Sequence, residues 1–275
     1  MHKKQIFVIV SVAALMGVLL SLDIKGLVKP KENKKIANNS EIAKSVDLLL
    51  DTEIGLAKKN LVAQQLQFIE RAERKLNDDE NKEENKKNLA KAWDSVSAIG
   101  VSAFYYQQLA DKNPTVNNYL LAADRFRDAS NGIQDSLRKV SFINKAILIY
   151  NQALAIEPEN ADAKTGLGVA YVSGTSNPMQ GITLLLEVVK KNPENVNANL
   201  QLGLFSMKSG QHDKAVARFT KVVNIAPTAE AYFYLGESYK NLGNKAEARK
   251  ALLKCKEYIK DPEFKKGVDN YINEL

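Results

Sequence analysis

The spacing of apolar residues changes twice along the chain. Ile6 to Leu22 (IFVIVSVAALMGVLLSL) are 17 residues without a charge, preceded by Lys3 and Lys4. The run is apolar on every face and lies at the end of the chain, which predicts a membrane-spanning helix rather than a core helix. No small-x-small cleavage pattern follows it, so residues 1–22 are expected to remain as a signal-anchor. Residues 23–39 are polar, rich in lysine and contain Pro30, and read as a basic linker. From Ser40 the rhythm becomes helical. Ile42, Val46, Leu49, Leu50, Ile54, Leu61, Leu66, Ile69 and Leu76 recur mostly at spacings of three, four or seven, predicting a helical segment over 40–82. Beyond the charged stretch 77–87 the pattern begins to repeat. Pro158, Pro193 and Pro227 lie 35 and 34 residues apart, and each closes a block of two amphipathic helical stretches.

The repeating unit can be aligned on its residues. Leu167-Gly168 with Tyr171 is followed by Gly181, Leu185, Val188 and Pro193. Leu202-Gly203 is followed by Ala215, Phe219, Val222 and Pro227, and Leu235-Gly236 with Tyr239 by Ala248, Leu252 and Cys255. Two weaker units precede them: Leu89-Ala90, Trp93, Ser102, Tyr106, Leu109 and Pro114, then Ala122-Ala123, Phe126, Ala146, Tyr150, Ala153 and Pro158. The second carries about ten extra residues around SNGIQDSLRK. Small residues at the eighth and twentieth positions let two helices approach, and large ones at the seventh, eleventh and twenty-fourth fill the space beside them. Over residues 83–275 the chain resembles the tetratricopeptide-repeat (TPR) superfamily, whose unit is about 34 residues. The resemblance implies an all-α fold, a TPR superhelix (an α-solenoid of helix-turn-helix repeats) behind the N-terminal transmembrane helix. Five repeats are expected over 83–262 (83–115, 116–160, 161–195, 196–228 and 229–262), with a capping helix at 263–275. The order of anchor, helix and repeats further resembles membrane-anchored TPR proteins of Gram-negative bacteria, including ones implicated in envelope assembly and c-type cytochrome maturation.

Charge refines this picture. The net charge is +7, but residues 1–35 carry +5 of it, flanking the apolar run. Lysines placed there suit lipid headgroups rather than nucleic acid, and no basic reading element occurs elsewhere. Two lysines before the run and five soon after it would hold the repeats on the cytoplasmic side by the positive-inside rule. The architectural resemblance implies the opposite: a single-pass inner-membrane protein with its soluble part in the periplasm. Cys255 is the only cysteine, so no intrachain disulfide forms and no lipid-bearing cysteine follows the apolar run.

No catalytic constellation emerges. His2 and His212 are the only histidines, and His212 falls in a predicted turn. Gly166-Leu167-Gly168 lies inside a predicted helix and lacks the strand a phosphate loop follows. The acidic run from Asp78 to Glu84 reads as solvated. The sequence therefore predicts a scaffold rather than an enzyme, with no cofactor, no metal and no nucleic acid, and with a protein or peptide as partner. In the superfamily the first helix of each repeat lines an inner groove through positions 5, 9 and 12. Here those positions give Lys87, Lys91 and Asp94, then Leu120, Asp124 and Arg127, then Thr165, Val169 and Val172, then Leu200, Leu204 and Met207, then Phe233, Glu237 and Lys240. An apolar partner-binding stripe is expected from Val169, Val172, Leu200, Leu204, Met207 and Phe233. Most of these positions lack the Lys, Asn and Arg with which some TPR domains clamp a C-terminal carboxylate. The occupant of the stripe is either a partner or the chain's own helix around 40–76; that helix could alternatively make the chain a homo-oligomer.

Overall fold

The computed structural model describes residues 39–78 and 82–275. The chain divides into two units, residues 1–51 and residues 52–275. The anchor expected at 1–22 lies outside the described residues, as does the linker apart from Asn39. Among the described residues there are thirteen helices and no strand. None of these helices is long and apolar enough to cross a membrane. In order they are α1 (Asn39–Lys59), α2 (Ala63–Asp78), α3 (Lys82–Ser95), α4 (Ile99–Lys112), α5 (Val116–Asn131), α6 (Ser136–Ile156) and α7 (Ala161–Gly174). There follow α8 (Pro178–Lys191), α9 (Val196–Lys208), α10 (His212–Ile225), α11 (Ala229–Asn241), α12 (Lys245–Tyr258) and α13 (Pro262–Asn273).

The helices from α3 to α12 pair as successive hairpins, each stacked on the next, which is the arrangement of a solenoid. Local chemistry sets the boundaries. The second helix of four hairpins stops at Asn113, Glu157, Asn192 and Ala226, each immediately before a proline that disfavours helical backbone in the residue ahead of it. At each stop the cap residue's N–H donates to the carbonyl four residues back. One or two residues after each proline a side-chain cap starts the next helix. Thr115, Asn160, Asn195 and Thr228 accept from the backbone N–H groups of Asn118, Ala163, Ala198 and Ala231. Each such cap contributes about 1 kcal/mol. The proline period in the sequence is therefore a stop-and-restart signal.

The small residues do what their spacing predicts. A Cβ added at Gly203 would stand 2.6 Å from the fully buried Phe219 ring, and one at Gly236 would stand 2.8 Å from Leu252. In the α7–α8 hairpin a Cβ on Gly181 would lie 2.2 Å from the Gly168 carbonyl oxygen, so here one helix backbone rests directly on the other. The ten extra residues of the second unit do not form a long loop. They lengthen α5 to 16 residues and α6 to 21, leaving only residues 132–135 between them. The added first turns of α6 expose Leu137 and Val140.

The segment expected to be helical over 40–82 is two helices. The chain breaks after α1, where the Asn60 side-chain amide donates to the Leu56 carbonyl and so occupies one of the acceptors left open at a helix end. Lys58 then pairs with Glu73 of α2 at 2.7 Å. At the other end α13 lays Val268 and Ile272 against Leu252 and Cys255, covering the last hairpin. Cys255 is buried, and burial pushes its thiol above its ordinary range, as suits a core residue.

Candidate functional site

The six residues of the expected apolar stripe do not share a surface. Leu200, Leu204 and Met207 are half-buried against a cluster formed by Phe219, Val222 and Val223 of their own hairpin and Leu235 of the next. Tyr232, Tyr234 and Tyr239 of α11 reach the same cluster. Phe233 packs with α13, its ring 5.8 Å from that of Tyr271. Val169 lines one cavity and Val172 another.

The first cavity, of about 420 Å³, lies along the first helices of three consecutive hairpins, the face where the inner groove was expected. Leu120, Asp124, Arg127, Asp128 and Asn131 of α5 line it with Asp162, Thr165, Gly166 and Val169 of α7 and Asn197 and Gln201 of α9. It is polar where the sequence predicts an apolar centre, because α9 turns Asn197 and Gln201 into it rather than its leucines. Among the described side chains, none of residues 52–77 contributes to its walls. Its base is a hydrogen-bonded network. Tyr150, fully buried, passes from α6 beneath Gly166, where a Cβ would stand 2.4 Å from its ring. Its hydroxyl donates to Asp124 and accepts from Arg127 Nη1 at 2.7 Å. Arg127 also pairs with Asp124 at 2.8 Å and Asp128 at 3.0 Å. Burial, and then Asp124, raise the Tyr150 phenol well above its ordinary range against the opposing pull of Arg127, so it stays a neutral donor.

A second polar network joins the first two hairpins. Arg125 Nε stands 3.1 and 3.0 Å from the two Asp94 carboxylate oxygens, and Ser102 and Tyr106 also donate to Asp94. Burial and Asp94 push the Tyr106 phenol up to about 12. Asp94, one of the expected inner-groove positions, is thus committed to its neighbours.

The second cavity, of about 810 Å³, was not anticipated. It lies between the second helices α8 and α10, with Leu202 and Phe205 of α9 between them. Val172, Met179, Ile182 and Leu186 add apolar surface, Met179 and Leu186 being 65 % and 45 % exposed. Lys208, Lys214, Arg218 and Lys221 line it too, and no carboxylate does. A signal existed in the sequence: Met179, Ile182 and Leu186 recur at three and four on a face that the repeat pattern does not use for packing. No group of three or more metal-ligating side chains occurs among the described residues.

Two family models match the chain, both described as tetratricopeptide repeat, over residues 196–228 and 230–258. The chain carries tetratricopeptide repeats. Among solved structures this chain is similar to a thermophilic TPR protein of Thermus thermophilus, at 20% identity and a TM-score of 0.54 over 70% of this chain and 100% of the other. That likeness is one of fold. It also matches MamA (21% identity, TM-score 0.45, 64% of this chain and 91% of the other). A further match is YrrB, a TPR protein with an unusual peptide-binding site (21% identity, TM-score 0.44, 74% and 98%). No curated protein sequence matches the chain.

Proposed function

We propose that this chain is a non-catalytic TPR scaffold, anchored in the inner membrane by residues 6–22, that holds a partner protein in the cleft between α8 and α10. TPR proteins generally mediate protein–protein interactions. The observation that carries the reading is the cleft: exposed Met179 and Leu186 beside Ile182 and Phe205, with four cations and no carboxylate around them. Contiguous exposed apolar surface of this kind marks a contact. Its occupant is an amphipathic partner helix with an apolar face and acidic flanks, which matches both the floor and the charge of the rim. The soluble part is assigned to the periplasm, following the resemblance to anchored TPR proteins.

The test is site-specific photocrosslinking of the full chain in its native membrane from position 186, with position 250 on the far hairpin as reference. Position 186 is expected to capture a protein through a helix bearing Asp or Glu beside its apolar face. Met179→Glu buries an unpaired carboxylate in the contact and should weaken capture by roughly tenfold or more. Equal capture from both positions, or capture indifferent to Met179→Glu, would end the proposal. The anchor has its own check. The full chain should stay with membranes through carbonate extraction, and recovery in the supernatant would overturn it.

A further inference from the structure

We propose that the first turn of α13 is a self-association surface, on which Phe264 of one copy seats in an apolar cavity beside Phe264 of a second copy. The cap of α13, Asp261, accepts from the N–H of Phe264, as Asn160, Asn195 and Thr228 accept from Ala163, Ala198 and Ala231. Those three alanines are at most 1 % exposed, whereas Phe264, in the same place in its helix, is 71 % exposed. Four residues on, Val268 is buried like Leu167, Leu202 and Leu235, so the register of the repeat is kept and the alanine alone is exchanged for a ring. One residue further, Asp269 stands where Gly168, Gly203 and Gly236 make room for their partner helices, and it pairs with Lys256. α13 therefore begins as the other first helices do, but it is large where they are small and offers no seat for a hairpin partner of its own.

Beside the exposed ring lies a cavity of about 550 Å³, lined by Phe233, Tyr234, Cys255, Ile259 and Val268 together with Phe264. A knob and an apolar hollow thus share one patch. An isologous two-fold contact needs this combination, because each copy must both insert and receive. Charge points to the same occupant. Glu230, Lys260 and Asp261 also line the cavity, and Glu263 and Lys266 are exposed beside Phe264. Lys260, Glu263 and Lys266 form no ion pair among the described residues. A patch that carries both signs can face its own copy, cation to carboxylate. The outer cleft, with four cations and no carboxylate, would repel its own copy. Two Phe264 rings meeting near the axis add an aromatic pair. One short helix and a hollow bury less than the roughly 800 Å² per partner of a standard interface, so the pairing is weak and follows concentration.

The test uses the purified full chain in detergent micelles. The photoreactive p-benzoyl-phenylalanine replaces Phe264, and copies of natural isotope content are mixed with copies grown on heavy nitrogen. Crosslinks are expected between a light and a heavy copy, from position 264 to residues 229–234 or 255–261. Sedimentation should show the mass of the unaltered chain rising with concentration. Phe264→Ala gives α13 the residue that α7, α9 and α11 carry, so the fold is kept and the urea midpoint should hold. The same change should weaken self-association roughly tenfold or more, as for loss of a central aromatic anchor. Met179→Glu, in the outer cleft, should leave self-association unchanged, so failure of either site is read independently of the other. Association through the anchor or α1 would instead leave Phe264→Ala as associated as the unaltered chain. That result, crosslinks confined to single copies, or a mass that stays at one copy at every concentration would each overturn the proposal.

Discussion

Replacing Gly181 with alanine is expected to destabilise the α7–α8 hairpin by about 3 kcal/mol, at the upper end of the usual cost of overpacking. The added carbon would meet the Gly168 carbonyl oxygen at 2.2 Å and Val172 Cγ2 at 2.8 Å. A side chain in the way can rotate, but a helix backbone cannot, so the hairpin must open. Because repeats couple mainly to their neighbours, the loss should centre on α7 and α8 and reach the stack through them. Hydrogen exchange followed by mass spectrometry should show faster exchange over 161–191, with a lower urea midpoint for the full chain. Gly267→Ala is the matched control, since a Cβ there meets nothing within 4 Å. Unchanged exchange over 161–191 would mean that the two helices do not cross as described.

Arg138→Ala should cost about 3 kcal/mol, and for a different reason: it strands a charge. Glu53 of α1 is buried, its side chain only 4 % exposed, and its two oxygens receive Arg138 Nε and Nη2 of α6, both at 2.5 Å. Beside the pair lie Gly100 and Phe142, and Phe142 packs edge-on with Phe104 and Phe126 at centroid distances of 5.9 and 5.6 Å. Truncating the arginine leaves a carboxylate against an aromatic wall. Arg138 is itself about one-third exposed, so water enters where it stood and holds the loss to the lower part of the range for a broken buried pair. Pairing Arg138→Ala with Glu53→Gln removes the charge and should recover much of the stability. The measurement is a double-mutant cycle in urea. Additive losses would show that the two side chains do not meet.

The repeats were legible because their signals are local. Each proline acts on the residue before it, each cap on the residues just after it, and the glycines stand at fixed positions within their own units. The inner surface was not legible, because whether a position stays open depends on the following hairpin. Leu204 and Val169 hold equivalent places in their repeats, yet Leu204 shares an apolar cluster with the tyrosines of α11 while Val169 shares a cavity with Asn197 and Gln201 of α9. A stripe read one helix at a time cannot register that difference. The Glu53–Arg138 pair was hidden for a similar reason. It joins residues 85 apart, and nothing at either position marks the other.

The joints of the stack differ in kind along its length. The first two hairpins are joined partly by ions, through Asp94 with Arg125, on side chains 21 % and 31 % exposed. Farther along, the junctions are made of Leu185, Val188 and Leu202, then Phe219, Val222 and Leu235, then Leu252, Val268 and Ile272. Ions screen the first kind of joint and leave the second untouched or tighten it. Raising the ionic strength therefore softens one end of the stack and stiffens the other, so its bending is graded along its length.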